Sequence, residues 1–310
     1  MSPIRLIMDV DTGVDDALAM ALAVRHPDVT LEAVLTVAGN VELDLTTRNT
    51  LRVLDWLGAT DVPVAAGADR PLSGVVVDAG HWHGVDGLGG AQLPDARRQA
   101  QPDGVGYLID RVRAEPGELT LVCVGPLTNL ALALGRWPEL AGSVREVILM
   151  GGAARLPGNV TPVAEFNIYA DPAAAASVFQ QPWRVTMVGL DVTNRALLTR
   201  AERDALARHP SPEAQLVYEV TRHLFDVRGV PAVALHDPLA VAVAIQPELV
   251  TTIERAVQVE TRGDYTLGQT VVDFRAHAPA APPTQTRVAL EVDVARFRAL
   301  FDRTLGLVYA

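Results

Sequence analysis

Short apolar runs alternate with longer helix-like segments along the first two thirds of the chain. Many of the longer segments end in Gly or Pro, which are common helix stops. The apolar runs show no polar alternation, so they predict strands buried on both faces, as in a parallel sheet covered by helices. The predicted strands are IRLIMDV (4–10), LEAVLTV (31–37), VPVAAG (62–67), LTLVCVG (119–125), VREVILMGG (144–152) and RVTMVGLDV (184–192).

The last third of the chain departs from this rhythm. Helical stretches at 199–209, 212–226 and 234–245 precede alternating segments near 254–260, 269–274 and 286–292. Alternation with a period of two predicts a short antiparallel addition. We therefore predict one domain over residues 1–310, of the α/β class, with an open, mostly parallel Rossmann-like sheet, helices on both faces and a small C-terminal antiparallel and helical addition.

Composition and charge exclude several classes of partner. The chain has 310 residues and a formal net charge of −11, which disfavours binding to a nucleic-acid polymer or to an anionic membrane. No apolar run approaches the ~18 residues that a membrane span needs. Its one cysteine, Cys123, lies in an apolar run, as expected of a buried thiol in a reducing compartment. These features predict a cytoplasmic protein.

Polar side chains and glycines follow the predicted strands. Ligands bind beyond the carboxyl ends of the strands in sheets of this kind. A helix-capping role would explain Thr128 or Asn129 taken alone. The residues after the first, second, fourth and fifth strands are Asp9 and Asp11; Gly39 and Asn40; Thr128 and Asn129; and Gly151, Gly152, Asn159, Glu165 and Asn167.

Four aspartates crowd the stretch MDVDTGVDDA at 8–17. One helix cap needs one acceptor, whereas Asp9, Asp11, Asp15 and Asp16 repel one another unless a cation neutralises them. The absence of nearby Cys or His favours Mg²⁺ or Ca²⁺ over zinc. Adjacent helical residues point about 100° apart, so we expect Asp15 and Asp16 to serve different ligands.

Two known metal patterns can be compared with this spacing. A helix-loop-helix calcium loop that began at Asp9 would need Gly at its sixth and Glu at its twelfth position, where the chain has Val14 and Met20. An aspartyl-phosphate phosphatase would also open with a strand and Asp-x-Asp, but it prefers Thr or Val where this chain has Gly13. The calcium loop is excluded, and the phosphatase stays open as an alternative.

Several motifs in a fixed order resemble the inosine-uridine-preferring nucleoside hydrolases. The resemblance covers most of the chain and implies an α/β enzyme that uses Ca²⁺ to hydrolyse ribonucleosides, with a homodimer or homotetramer as its assembly. The motifs are DVDTGVDDALA (9–19), VAGN (37–40), HGVDGLGG (83–90), GPLTNLA (125–131), MGG (150–152), GNVTPVAEFNIYADPAAA (158–175) and HDPLA (236–240).

The resemblance also implies roles for individual residues. It makes Asp11 the catalytic base and a metal ligand, gives Asp9 a supporting role, and makes His236 the group that protonates the leaving base in one subgroup. The other calcium ligands would be Asp16, Asp237 and the backbone carbonyl of Val124. The residues that hold the substrate would be Asp15, Asn40, Asn159, Glu165 and Asn167 around the ribose, Met150 and Phe166 along the pocket, and His83 in a mobile loop.

The chemistry agrees with these residue types. Hydrolysis of an N-glycosidic bond passes through an oxocarbenium-like state, which calls for an activated water, nearby negative charge and help for the leaving group. A structural role for His236 beside a metal ligand is an equal alternative. A non-catalytic nucleoside or ribose binder also stays open.

The base preference is not predicted. The corresponding helix of relatives often carries tyrosines, whereas TRHLFDVRGV at 221–230 has none. Surface ion pairs are the simplest interpretation for Arg222 and Arg228.

Overall fold

The computed structural model describes residues 3–73, 76–275 and 286–309. Its strands are β1 (Ile4–Val10), β2 (Val29–Thr36), β3 (Val64–Ala66), β4 (Leu119–Cys123), β5 (Glu146–Met150), β6 (Val185–Val188), β7 (Leu197–Thr199), β8 (Ala232–Ala234), β9 (Val250–Arg255), β10 (Val257–Val259), β11 (Thr270–Val272) and β12 (Thr286–Val292).

Helices connect most of these strands. The α-helices are α1 (Val14–Arg25), α2 (Leu43–Trp56), α3 (Gly80–His83), α4 (Gly104–Ala114), α5 (Thr128–Arg136), α6 (Leu140–Ser143), α7 (Phe166–Ala170), α8 (Pro172–Phe179), α9 (Leu190–Thr193), α10 (Arg200–Ala205), α11 (Pro212–Arg222), α12 (His236–Ile245) and α13 (Val294–Leu305). A π-helical turn (His223–Val227) continues α11, and a 3₁₀ turn (Pro247–Leu249) follows α12. Within the described ranges, every helix is too short or too polar to cross a bilayer.

Eight strands form the main sheet in the order β3-β2-β1-β4-β5-β6-β12-β9. Neighbouring strands are parallel except for β12 and β9, which pair antiparallel. This arrangement confirms the predicted open, mostly parallel sheet. The strand order reverses between β1 and β4, and that reversal is where sheets of this class bind their ligands.

Two predicted segments differ from the structure. The strand expected over 184–192 ends at Val188, and α9 begins at Leu190 with Gly189 as its N-cap. A Cβ at Gly189 would lie 2.6 Å from the Gly152 carbonyl oxygen, so this close approach requires glycine. The C-terminal addition is only partly antiparallel. Its last strand, β12, pairs antiparallel with β9 but parallel with β6, so it extends the main sheet.

Apolar side chains cover both faces of the sheet, as the unbroken apolar strands predict. Leu6, Met8 and Val10 of β1 join a cluster with α1, α11, α12 and α13, whereas Ile7 points to the other face and joins α4, α5 and α8. Helix α1 is buried on nearly all sides and packs against α12. Both helices are rich in small alanines, which allows this close approach. The single domain over residues 1–310 stays a prediction.

Asn129 joins three chain segments at the carboxyl edge of the sheet. Its Nδ2 donates to Asp9 Oδ1 at 2.7 Å and to the Thr36 carbonyl at 3.0 Å, and its Oδ1 accepts from Ala68 N–H at 2.8 Å. The capping interpretation of Asn129 was wrong, because the N-cap of α5 is Leu127 and this amide side chain is needed for the three buried contacts. Thr128 likewise donates its hydroxyl to Asp171, at 2.8 Å.

We predict that Asn129→Ala lowers the free energy of unfolding by about 2–4 kcal/mol, because buried partners left without a hydrogen bond each cost about 1–3 kcal/mol. Urea denaturation measures the change. Gln180→Ala, at an exposed position that ends α8, is the matched control and should change stability by less than about 0.5 kcal/mol. An equal effect of the two substitutions would contradict the bridging role of Asn129.

Candidate active site

Asp11, predicted as the base and as a metal ligand, lies where the strand order reverses. Asp11 follows β1, and two glycines enclose its carboxylate. A Cβ at Gly39 would lie 2.2 Å from Asp11 Oδ2, and a Cβ at Gly125 would lie 2.9 Å from Asp11 Oδ1. The loops after β2 and β4 therefore need glycine at these two positions to close around Asp11.

Backbone N–H groups fix the carboxylates of Asp11 and Asp16. Asp11 Oδ2 accepts from Asn40 N–H at 2.8 Å. Asp16 Oδ1 accepts from Asp11 N–H at 3.1 Å, and its Oδ2 accepts from Gly13 N–H at 2.8 Å and from Asn40 Nδ2 at 3.3 Å. The start of α1 thus orients Asp16, and the turn after β2 orients Asp11.

A buried acidic cluster forms where α1 packs against α12. Oxygen atoms of Asp15, Asp16 and Asp237 lie within 4.8 Å of one another. Burial is the main cause that raises the pKa of Asp15 to about 8 and that of Asp16 to about 6. Burial and the charges of neighbouring aspartates raise the pKa of Asp11 and of Asp237 well above the usual range.

Among the described residues this cluster contains Asp15, which was predicted to bind the ribose, and it does not contain Asp11, which was predicted as a metal ligand. The oxygen donors in the cluster and beside it fit a hard divalent cation. Asp11 Oδ1 is buried and has no hydrogen-bond partner within the described residues. The Val124 carbonyl, after β4, accepts one hydrogen bond from Asn167 Nδ2 at 2.7 Å and keeps a second lone pair. All of these donors are oxygens, which Ca²⁺ and Mg²⁺ prefer. A cation would also offset the repulsion between the aspartates.

Beside the acidic cluster lies one pocket of about 540 Å³. Asp15 is half-buried and reaches it, whereas Asp11 and Asp16 are fully buried. All the residues predicted to hold the substrate line this pocket, together with His236, Val124 and Asp237. The substrate set comprises Asp15, Asn40, His83, Met150, Asn159, Glu165, Phe166 and Asn167.

The backbone holds the acidic and amide side chains of the pocket. Glu165 Oε1 accepts from Asn167 N–H at 2.9 Å, and its Oε2 accepts from Gly152 N–H at 2.9 Å and from Ile168 N–H at 3.2 Å. Asn167 Nδ2 also donates to the Met150 carbonyl at 3.1 Å. Burial raises the pKa of Glu165 although these N–H donors act in the opposite direction.

Asn159 and Phe166 meet at the rim of the pocket. Asn159 is exposed, and its Oδ1 accepts from the Phe166 N–H at 3.0 Å. This bond holds the loop before α7 against the first residue of that helix, and both residues line the pocket.

Two histidines line the pocket. His83 Nδ1 accepts from Val14 N–H at 3.1 Å, so this side chain anchors the 80–83 helix to α1. A Cβ at position 13 would lie 2.5 Å from His83 Nδ1, which explains why Gly13 stands where the phosphatase pattern prefers a larger residue. Burial lowers the pKa of His83 to about 3 and that of His236 to about 4.

Sequence reasoning missed Thr193, in α9. Its Oγ1 lies 2.8 Å from His236 Nδ1. A buried threonine without a recognised motif carries no sequence signal for such a contact with a residue 43 positions away. Sequence reasoning also left out His81 and Trp82 as binding residues, although both line the pocket.

The arginines of the 221–230 segment bind backbone carbonyls. Arg228 donates to the His81 carbonyl at 2.6 Å and lies 5.1 Å from the centre of the Trp82 ring. Arg222 donates to the Gly90 carbonyl at 3.3 Å and lies 3.6 Å from Glu219. The ion-pair interpretation was therefore wrong for Arg228 among the described residues, and incomplete for Arg222.

Comparisons with known proteins agree with this geometry. Residues 6–299 match the family described as inosine-uridine preferring nucleoside hydrolase. The chain is 41% identical over 305 residues to the inosine-uridine preferring nucleoside hydrolase of Crithidia fasciculata, covering 96% of each chain. It is 42% identical over 299 residues to the non-specific ribonucleoside hydrolase RihC of Salmonella agona, covering 95% of each chain. Its fold is similar to that of a solved plant nucleoside hydrolase, with a TM-score of 0.92 and 33% identity over 98% of this chain and 99% of that one.

We predict that the metal-free protein loses stability as the pH rises from about 7 to about 8. The pKa of buried Asp9 is raised to about 7 and that of half-buried Asp15 to about 8, so both bind protons more tightly in the folded chain. The stability that this binding contributes falls as the pH rises towards these values and is lost above them. The lowered pKa values of His83 and His236 change the stability only below about pH 6.5, the ordinary pKa of histidine. Calorimetry should show a Tm about 2–4 °C lower for each kcal/mol lost.

The same calorimetric measurement tests whether the acidic cluster binds a cation. Added Ca²⁺ should raise the Tm more at the higher pH, where fewer protons compete for the carboxylates. Asp237→Asn should remove most of this cation effect, whereas Asp61→Asn, at an exposed position, should keep it. A cation effect that survives in Asp237→Asn would contradict the assignment of this cluster.

Proposed function

The chain belongs to the inosine-uridine preferring nucleoside hydrolase family, and from this premise we propose that it uses Ca²⁺ to hydrolyse the N-glycosidic bond of ribonucleosides into ribose and a free base. The observation that carries the proposal is the buried aspartate cluster beside one pocket lined with hydrogen-bonding side chains. We propose that it works in the cytoplasm as a homodimer or homotetramer, in purine and pyrimidine salvage.

The ligands proposed for Ca²⁺ are the carboxylates of Asp11, Asp16 and Asp237 and the carbonyl of Val124. Their all-oxygen character and excess negative charge favour this ion, which accepts irregular oxygen shells more readily than Mg²⁺. When bound, the ion lowers the pKa of a coordinated water and offsets the repulsion between the carboxylates.

Asp11 is proposed as the general base. The Asn40 N–H holds its Oδ2, whereas its Oδ1 is without a partner among the described residues. One oxygen therefore fixes the carboxylate and the other can accept a proton from water. Burial and the charge of Asp16 raise the pKa of Asp11, which makes it a stronger base than an exposed aspartate.

Ribose recognition is proposed for Asp15, Asn40, Asn159, Glu165 and Asn167. Three backbone N–H groups occupy most of the acceptor capacity of Glu165, which leaves one lone-pair site for a sugar hydroxyl. Asn167 donates through Nδ2 and keeps Oδ1 as an acceptor. The negative charges around the pocket would stabilise the oxocarbenium-like state.

The remaining pocket residues would hold the ring and the base. Met150 and Phe166 give apolar contact, and His83 lies near the α1 end of the pocket. His236 is proposed to assist departure of the base.

We predict that Asp11→Asn lowers kcat on ribonucleosides by about 10²- to 10⁴-fold, the usual contribution of a general base, with less change in nucleoside affinity. Released ribose, measured with a panel of purine and pyrimidine ribonucleosides, gives both the reaction and the base preference. Asp110→Asn, at an exposed position of α4, is the control.

Four outcomes would overturn the assignments. Unchanged turnover in Asp11→Asn would contradict the role of Asp11, and full activity in EDTA would contradict that of calcium. Nucleoside binding without ribose release by the unaltered chain would identify a binding protein. Release of phosphate from a phosphate ester would identify the phosphatase instead.

We predict a strong preference for ribonucleosides over deoxyribonucleosides. Loss of the 2′-hydroxyl leaves buried polar groups unpaired at about 1–3 kcal/mol each, which corresponds to about 5- to 150-fold in kcat/KM per group. Paired assays of uridine and deoxyuridine measure this ratio. Equal turnover of uridine and deoxyuridine would contradict the proposed contacts with the ribose hydroxyls.

A further inference from the structure

The side chain of His236 is held through one ring nitrogen. Its Nδ1 lies 2.8 Å from Thr193 Oγ1. Its Nε2 has no hydrogen-bond partner among the described residues. This nitrogen is also absent from the set of fully buried polar atoms without a partner, so it is accessible. Since His236 lines the pocket, Nε2 is the nitrogen that a bound base can reach.

The direction of the hydrogen bond between Thr193 and His236 follows from the acceptors that are available to the Thr193 hydroxyl proton. Thr193 is fully buried in α9, and within the described ranges His236 Nδ1 is its one hydrogen-bond partner. A buried hydroxyl proton needs an acceptor. If Nδ1 carried a proton, it would donate to Thr193, and the hydroxyl proton would have no acceptor there.

We propose that Thr193 is a positioning residue: it donates to His236 Nδ1 and thereby keeps the neutral ring protonated on Nε2, which points its N–H at the leaving base. A neutral imidazole with one free nitrogen has one donor and one acceptor, and the partner of one nitrogen decides the state of the other. The inference rests on the proposed ribonucleoside hydrolysis and refines the part that His236 plays in it.

This arrangement makes His236 a hydrogen-bond donor rather than a source of a proton. When the bond between C1′ and the base nitrogen breaks, its electron pair leaves with the base and spreads to a ring nitrogen or carbonyl oxygen. The Nε2–H would stabilise that charge. Water supplies hydroxide to C1′ and a proton to Asp11, and the released base takes its proton from solvent.

Leaving-group dependence tests the proposal. Thr193→Val removes the donor and keeps the branched shape, whereas Thr193→Ser keeps a hydroxyl. We expect Thr193→Val to lower kcat on inosine and uridine about tenfold, the equivalent of one hydrogen bond, with KM changed less. It should lower kcat on 4-nitrophenyl riboside, whose phenolate departs without help, by less than about twofold. Thr193→Ser should restore most of the nucleoside activity.

A merely structural role would give a different pattern. Equal losses on the nucleosides and on the nitrophenyl riboside, or no loss on either, would overturn the proposal. The melting temperature of Thr193→Val shows whether the variant is folded, and Thr193→Ser provides the second variant.

Nitrogen NMR of the unaltered protein tests the tautomer without any assay of activity. Spectra of ¹⁵N-labelled protein with Ca²⁺ added should show the His236 proton on Nε2 and an unprotonated Nδ1. A proton on Nδ1 would overturn the inference even if the enzyme hydrolyses nucleosides. Absence of ribose release by the unaltered enzyme would instead count against the proposed function, and the spectrum would still decide the tautomer.

Discussion

The repulsion between buried carboxylates is the constraint on which the site depends. Close packing of α1 on α12 brings Asp15 and Asp16 against Asp237, and burial raises the pKa of all three. Without a cation, the fold can keep this arrangement only by holding protons there or by losing stability. Backbone N–H groups and closely packed glycines of the surrounding loops therefore hold these carboxylates in place against their repulsion.

The sheet topology explains why this cluster sits beside a pocket. The order reverses between β1 and β4, so the loops after these strands diverge to opposite faces and leave a crevice. Asp11 and Val124 stand on its two sides. Asn129 ties β1, β2 and the segment after β3 together, so its hydrogen bonds fix the edge of the sheet from which these loops leave.

Much of the fold was predictable from local sequence. Unbroken apolar runs identify the central strands, because burial on both faces removes the polar alternation. The crowded aspartates after β1 predict a cation, because like charges at this spacing repel one another. Gly189 shows the limit of such reasoning. An apolar run continues through it, and the close contact with the Gly152 carbonyl that requires glycine there joins segments far apart in the chain.

Contacts between distant segments were not predictable. The Thr193–His236 bond and the Arg228–Trp82 stack join residues far apart in the chain, and neither pair has a spacing that a single sequence reveals. The assignment of ribose and base roles came from the family motifs, not from charge or periodicity. The clustered charges alone predict a metal site and do not identify the substrate.

Three polar side chains of the site share one arrangement. Each uses part of its hydrogen-bonding capacity on a fixed partner and keeps another atom without a partner among the described residues: Asp11 is held at Oδ2, Asn167 at Nδ2 and His236 at Nδ1. Since the fixed partners are mostly backbone groups or buried side chains, the orientation of each free atom is set before a ligand arrives. A ligand then meets donors and acceptors that need no reorganisation, which is the condition for stabilising a transition state more than a ground state.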